Sequence, residues 1–465
     1  MRKDKNIVYP YIPNSVPGIR QEMLGAVGAE SLDELYDSVP DELRLKRPLN
    51  LPRPCLSEYA LKRHVTDLLA KNKTCEENIS FLGAGCYQHH VPAVCDEINR
   101  RSEFLTAYAG EPYDDHGRFQ ALFETASMMG ELLEMDMVNV PTYDGLQAAA
   151  TAVRMAARLN GRTTVVVSRL IHPDKVSKMV DYCRPHLNVR VVGHEPGAGL
   201  LDLQALKEVL GEDVAAVYLD NPCFLGHIET RGQDIADLVH QCGAEFVVGV
   251  NPTSLGVLTP PAAYGADIVC GDLQPLGMHL SCGGGHAGFI ASRDEERYVM
   301  EYPSRLFGIA PTRVEGEYGF GDVAFDRTSF AVREDGKEWV GTASALWGIT
   351  AGVYLALMGP HGMAELGQGL MERARYAQTK LNGLSGVICP VYQAVPFQEF
   401  VVDFSRTGRS VADINDGLLE RGFIGGLDVG PYFPELNQCA LYCVSEVHAQ
   451  ADIDGLVQAL NEVLQ

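Results

Sequence analysis

From about Ile79 to Ala291 the chain alternates short β-branched runs with segments of helical pattern, and that alternation leaves few folds open. Candidate strands are Thr163–Ser168, Val189–Gly193, Ala215–Asp220, Glu245–Val250, Ala266–Gly271 and Gly288–Ser292, with helices such as Gln233–Cys242 fitting between most of them. Apolar strands separated by helices predict a mostly parallel sheet covered on both faces. The expected fold class is therefore α/β. A long helix at Gly341–Met358 leads to strands at Glu399–Phe404 and Cys439–Val444 and a closing helix at Ile453–Leu464, which predict a small C-terminal α+β domain. Ahead of the sheet, two short amphipathic helices, a proline-punctuated linker and a third helix make a poor core of their own. Ser31-Leu-Asp-Glu34 has the form of a capping box, and Ser57 marks a second helix start. The expected organisation is an N-terminal arm (residues 1–75), a large α/β domain (76–330) and the small domain (331–465).

Composition narrows the partners. A formal net charge of −23 argues against nucleic acid or an anionic membrane, since both are bound through cationic patches. No stretch approaches the roughly 18 apolar residues that mark a membrane span. The N-terminus, MRKDKNIVYPYIPNS, has a basic start but no apolar core of a signal peptide, so a cytoplasmic protein is expected. The twelve cysteines include no C-x-x-C pair, which predicts reduced structural thiols such as Cys95, Cys242, Cys270 and Cys389.

Several motifs invite chemistry and mostly read as structure. Gly283 to Gly288 satisfies G-x-G-x-x-G, but it leads into a strand rather than opening a helix, so a tight turn is expected instead of a dinucleotide site. Tyr143-Asp-Gly-Leu-Gln147 opens an alanine-rich helix whose free N–H groups could take a phosphate; the simpler reading is a cap by Asp144. His172 follows a predicted strand, where its ring could stack on a cofactor or serve the loop. His89-His90 are expected to point to opposite faces of a strand, and His279 with His286 lack metal-motif spacing, so no metal is expected. Asp114-Asp115-His116 is a polar loop without a partner signature, and Asn221-Pro222 and Asn251-Pro252 are turns at the carboxyl ends of strands, where such folds place ligands.

The segment Ala266 to Ala291 is the most telling. Strand, loop, glycine-rich turn and second strand resemble the segment that presents the cofactor lysine in pyridoxal-phosphate (PLP) enzymes of the aspartate-aminotransferase type. Gln274 stands at the expected lysine position, and no lysine occurs between Lys207 and Lys337. A carboxamide nitrogen is not nucleophilic, whereas a desolvated lysine amine is. PLP also needs a carboxylate against its pyridinium nitrogen. Val250 stands where that aspartate is expected, and the run EFVVGVNPTS has no acid after Glu245. Two defining contacts are missing, which points to one half of a two-chain enzyme.

At family level, YIPN (Tyr11–Asn14), ELRLKRPLNLP (Glu42–Pro52), FLGAGCYQHHVPAV (Phe81–Val94), SRLIHP (Ser168–Pro173) and GPYFPEL (Gly430–Leu436) resemble the alpha subunit, subunit 1, of the two-chain glycine dehydrogenase (decarboxylating), the P-protein of the glycine cleavage system. The likeness runs over nearly the whole chain. It implies an aminotransferase-like fold (PLP-dependent transferase type I) and an α2β2 assembly with a P-protein beta subunit. PLP would be bound by that partner and not covalently by this chain. It implies an oxidoreductase that decarboxylates glycine and passes the aminomethyl group to the lipoyl arm of H-protein. Gln274 and Val250 are what an alpha role predicts, leaving this chain no catalytic residue of its own.

Two departures from the family pattern stand out. After RSEFLTAY, where members usually continue with a run like TPYQPEISQG, this chain reads AGEPYDDHG; where members usually carry REKATSNICTNQ, it reads EDGKEWVGTASA. The resemblance places both stretches near the partner's cofactor, so Tyr108, Thr342 and Ser344 are expected contacts to the partner's PLP site. An alternative is the alpha subunit of a paralogous pair acting on another amino acid or acceptor, or a non-catalytic scaffold.

Overall fold

The computed structural model describes residues 8, 11–12, 15–47, 49–104, 116–283, 285–338 and 344–465. The backbone divides into two compact units, Met1–Asn72 and Lys73–Gln465.

The first unit is built from helices Pro17–Ala26 and Glu58–Leu69 with a 3-10 turn, Asp33–Tyr36, between them. Ser57 caps the later helix as its sequence predicts, its hydroxyl accepting the Ala60 N–H at 3.3 Å. Ser31 does not close a capping box. Its hydroxyl meets the Glu34 carboxylate at 3.3 Å, and that carboxylate accepts the Glu30 N–H instead of folding back on the serine's own amide. Most apolar side chains of this unit, including Leu35, Tyr36, Leu56 and Tyr59, are exposed.

In chain order the strands of the second unit are β1 (Ile79–Ser80), β2 (Met137–Val138), β3 (Thr164–Ser168), β4 (Asn188–Val192), β5 (Val214–Asp220), β6 (Glu245–Val250), β7 (Ile268–Asp272), β8 (Gly288–Ser292), β9 (Phe307–Pro311), β10 (Tyr318–Asp322), β11 (Glu399–Asp403), β12 (Phe423–Ile424), β13 (Leu427–Asp428) and β14 (Cys439–Cys443). A seven-stranded sheet takes the order β2-β8-β7-β6-β5-β3-β4. Its strands β7, β6, β5, β3 and β4 are parallel, while β8 pairs antiparallel with both β7 and β2.

Successive side chains on a strand face opposite ways, and the sequence exploits both faces. Val166, Val217, Phe246, Val248 and Val269 pack on one side; Val165, Val167, Ala216, Val247 and Ile268 pack on the other. The second face is covered by helix Gly145–Asn160, whose buried Ala148, Ala149, Ala152 and Ala156 let it lie close to the sheet. The first face is covered by Gly232–Gln241 and by the long helix Ala345–Leu381. That long helix outruns its predicted end at Met358. The predicted stop lies at a kink, with Gly359 (φ +59°, ψ −179°) followed by Pro360, and helix resumes beyond it.

A second layer is the antiparallel sheet β11-β14-β13, whose core joins Phe81, Phe400, Val402, Tyr442, Leu456 and Leu460. Strand β1 pairs with β12 beside it. The run after β1, including His89 and His90, is irregular and not a strand. His89 is nevertheless buried and bonds Glu446, while His90 is exposed.

Candidate functional site

A cavity of about 260 Å³ opens at the carboxyl ends of β5, β6 and β7, where parallel α/β sheets place ligands. Its walls include Cys86 and Tyr87 from the irregular run after β1, Gly145, His172, Lys175, Asp220, Val250, Asp272, His286 and Glu399. The Asn221-Pro222 and Asn251-Pro252 turns border it through Pro222 and Asn251.

Gln274 is fully buried and does structural work. Its Oε1 accepts the Tyr87 N–H at 3.0 Å, and its Nε2 donates to the Tyr87 carbonyl at 2.8 Å and to the Met278 carbonyl at 3.2 Å. The amide thus imitates a strand partner for Tyr87. A second clamp comes from Glu399 on β11, which accepts the Ala84 N–H at 2.6 Å and the Tyr87 hydroxyl at 2.8 Å. Between the clamps Ala84 (φ +62°) and Gly85 (φ +94°) both take left-handed backbone, so the turn that carries Cys86 is held from two sides. Burial pushes the Glu399 carboxyl up to about 7.

The N-terminus of helix Gly145–Asn160 is already occupied by carboxylates. Asp144 caps it, Oδ1 accepting the Gln147 N–H at 2.6 Å. Asp272, the last residue of β7, accepts the Gly145 N–H on Oδ2 at 2.8 Å, the same oxygen bonding His286 Nδ1 at 3.0 Å, and the Gln274 N–H on Oδ1 at 2.9 Å. A cofactor phosphate would find these N–H donors already taken.

Val250 ends β6 with an apolar side chain toward the cavity, and Gln274 offers no amine. An acid does stand near, Asp220 at the end of β5. It is held by Lys175 Nζ at 2.7 and 2.8 Å and by the Tyr218 hydroxyl at 2.6 Å. Lys175 on the cavity wall is therefore engaged in a largely buried ion pair. The residues present do not fit PLP.

His172 lines the cavity. Its Nδ1 caps helix Pro173–Cys183 by accepting the Asp174 N–H at 3.0 Å, and its ring sits edge-on to Phe224 at 4.7 Å, with burial lowering its pKa. His279 and His286 do not converge: the first pairs with Asp96 at 3.0 Å, the second with Asp272. Gly288 lies where any Cβ would come within 2.1 Å of the Asp144 carbonyl and Gly285 where it would come within 2.3 Å of the His279 carbonyl, so these two serve close approach, whereas Gly283 takes left-handed backbone (φ +87°) with open space around it. Ser344 donates its N–H to the Pro141 carbonyl at 3.3 Å, at the start of the long helix. Tyr108, Thr342, Asp114 and Asp115 lie outside the described residues, as does the His116 side chain.

The sequence points to Gln274, Val250 and the Asp144 cap but not to Asp272, Asp220 or Glu399. Asp272, two residues before Gln274 at a strand end, was the available signal, since a strand terminus beside a helix N-terminus is where an acid finds N–H donors.

Residues 11–460 match the family model described as glycine cleavage system P-protein. A probable glycine dehydrogenase (decarboxylating) subunit 1 of Staphylothermus marinus is 35% identical over 466 residues, covering 98% of each chain. That of Moorella thermoacetica is 38% identical over 455 residues, covering 98% of this chain and 99% of the relative. The crystal structure of a glycine decarboxylase (P-protein) of the glycine cleavage system, in inhibitor-bound form, superposes with a TM-score of 0.84 at 34% identity over 98% of this chain and 100% of that one. A NifS-like protein from Rickettsia africae, at 13% identity and a TM-score of 0.60 over 83% of this chain and 99% of its own, shares the fold. The α/β architecture is that of the PLP-dependent type I enzymes.

Proposed function

The chain belongs to the glycine cleavage system P-protein family, and we propose that it is the subunit of a two-chain glycine dehydrogenase (decarboxylating) that carries no cofactor lysine. The observation that carries this reading is Gln274: a buried amide spent on the Tyr87 backbone at the place where the cofactor amine would stand. The Asp272 carboxylate on the Gly145 N–H and the apolar Val250 support the same conclusion from the phosphate and pyridine ends of the cavity. PLP then belongs to the partner beta subunit, and glycine decarboxylation to the assembled α2β2 oxidoreductase in the cytoplasm. Transfer of the aminomethyl group to a lipoylated H-protein completes the proposed reaction. This chain supplies the scaffold and part of the wall of its partner's site.

The test is to co-purify the chain with its beta subunit, saturate with PLP, reduce with borohydride and map pyridoxyl-lysine by mass spectrometry. The label is expected on the beta chain alone, and exchange of labelled bicarbonate into glycine only from the pair with H-protein present. A pyridoxyl group on a lysine of this chain would overturn the assignment.

A further inference from the structure

The cavity that does not fit PLP carries three side chains for which the subunit role has no task. Asp272 is fixed by three donors, and it fixes His286 in turn, Nδ1 lying 3.0 Å from Oδ2. Cys86 lines the same cavity as His286 and Asp272, and its side chain acts with Asp272 in holding the His286 proton. Cys86 itself sits on the turn clamped by Gln274 and Glu399. An acid that orients an imidazole on the wall it shares with a thiol is the arrangement that activates a cysteine nucleophile.

We propose that Cys86, His286 and Asp272 form a nucleophilic thiol site that takes a small uncharged carbonyl compound. The choice of ligand follows from the cavity's charges. Its cations are internally paired, Lys175 with Asp220 and His286 with Asp272, so an anionic ligand finds no free counter-charge on this wall. Apolar contacts come from Leu146, Phe224 and Val250. His286 is held protonated, pushed up to about 10 by its hydrogen bonds to Asp272 and Cys86. Other ionisable groups on the wall are His172, Asp174, Cys223, Glu399 and Tyr87.

A protonated imidazole beside the attacking sulfur is useful where attack creates an oxyanion. The Cys86 sulfur bonds to the carbonyl carbon, the C=O π pair moves to oxygen, the His286 proton neutralises it, and the imidazole takes up the proton that the thiol sulfur gives up. The product is a hemithioacetal, with the imidazolium restored. The thiol has added across C=O with no oxidant or reductant, and the reverse steps release the carbonyl compound. Cys86 is the reacting group, His286 the proton donor and Asp272 a positioning residue.

The test needs only the full-length chain and does not depend on the subunit reading, because no partner or PLP is added. Iodoacetamide alkylation at neutral pH, mapped by mass spectrometry, reports each cysteine separately. Cys86 is expected to react at least tenfold faster than exposed Cys55. His286→Gln should abolish that excess while leaving the Cys55 rate unchanged. Buried Cys95 and Cys270 should stay protected in the variant, which establishes that it is folded; should they become labelled, Asp272→Asn replaces it and is expected to lower the Cys86 rate in the same sense. Excess propionaldehyde should slow Cys86 alkylation reversibly and leave Cys55 untouched. Cys86 reacting no faster than Cys55, an excess that survives in the folded variant, or no protection by the aldehyde would each overturn the proposal.

Discussion

Replacing Gln274 by methionine isolates the contribution of its amide, because the two side chains are close in volume and no large cavity opens. Three hydrogen bonds disappear, at 3.0, 2.8 and 3.2 Å. Each contributes about 1 kcal/mol net, and stranding the buried Tyr87 N–H adds a desolvation cost of about 1–3 kcal/mol. The expected loss is about 4–6 kcal/mol. Gln274→Lys should cost at least as much. Its ammonium can still donate toward the Tyr87 and Met278 carbonyls, but Tyr87 N–H loses its acceptor and a charge is buried without a carboxylate assigned to it. Restoring the lysine alone therefore damages the turn before it can offer an amine.

Urea unfolding by far-UV circular dichroism, compared at constant m-value, reads the global part of this loss. Amide exchange at Tyr87 reads the local part, since the clamped turn could open without the whole unit unfolding. A methionine variant within about 1 kcal/mol of the parent, with Tyr87 exchange unchanged, would refute the clamp.

Stability should fall as pH rises from about 4.5 to 7 through Glu399. Burial raises its carboxyl to about 7, so the native state holds the proton more tightly than the unfolded chain, and the loss totals about 3 kcal/mol. Urea midpoints at the two ends of that window should differ in this sense, and Glu399→Gln should flatten the difference. Lys175→Met leaves the Asp220 carboxylate, only 12% exposed, with the Tyr218 hydroxyl as its remaining side-chain partner, and should cost about 3 kcal/mol in the same unfolding assay. Gly288→Ala drives a Cβ to 2.1 Å from the Asp144 carbonyl and 2.2 Å from Thr142 Oγ1, so it should destabilise by more than about 3 kcal/mol and lower soluble yield.

Sequence alone determined six strands of the large sheet, though not β2 or the strand order, because burial on both faces writes itself into the strands. Glu245–Val250 and Gly288–Ser292 are found with the predicted bounds, and the others differ by a residue or two at their ends. It also located Gln274 and Val250, since absence of an amine or a carboxylate at a position is a fact of composition. What Gln274 does instead was not legible. Its partner Tyr87 is 187 residues away, and Glu399 reaches Ala84 from a distance of 315. Nor could the sequence join Cys86, His286 and Asp272: Cys86 is one of twelve cysteines without a C-x-x-C pair, His286 lacks metal-motif spacing, and Asp272 falls just past the predicted strand Ala266–Gly271. The same is true of the kink at Gly359, where a local stop signal yielded to the core that Tyr354, Met363 and Leu366 share on both sides of it. Periodicity records which face of an element is buried, and residue type records what chemistry it can offer. Which distant groups meet inside one cavity is settled only when the sheet and the layer beside it close around it.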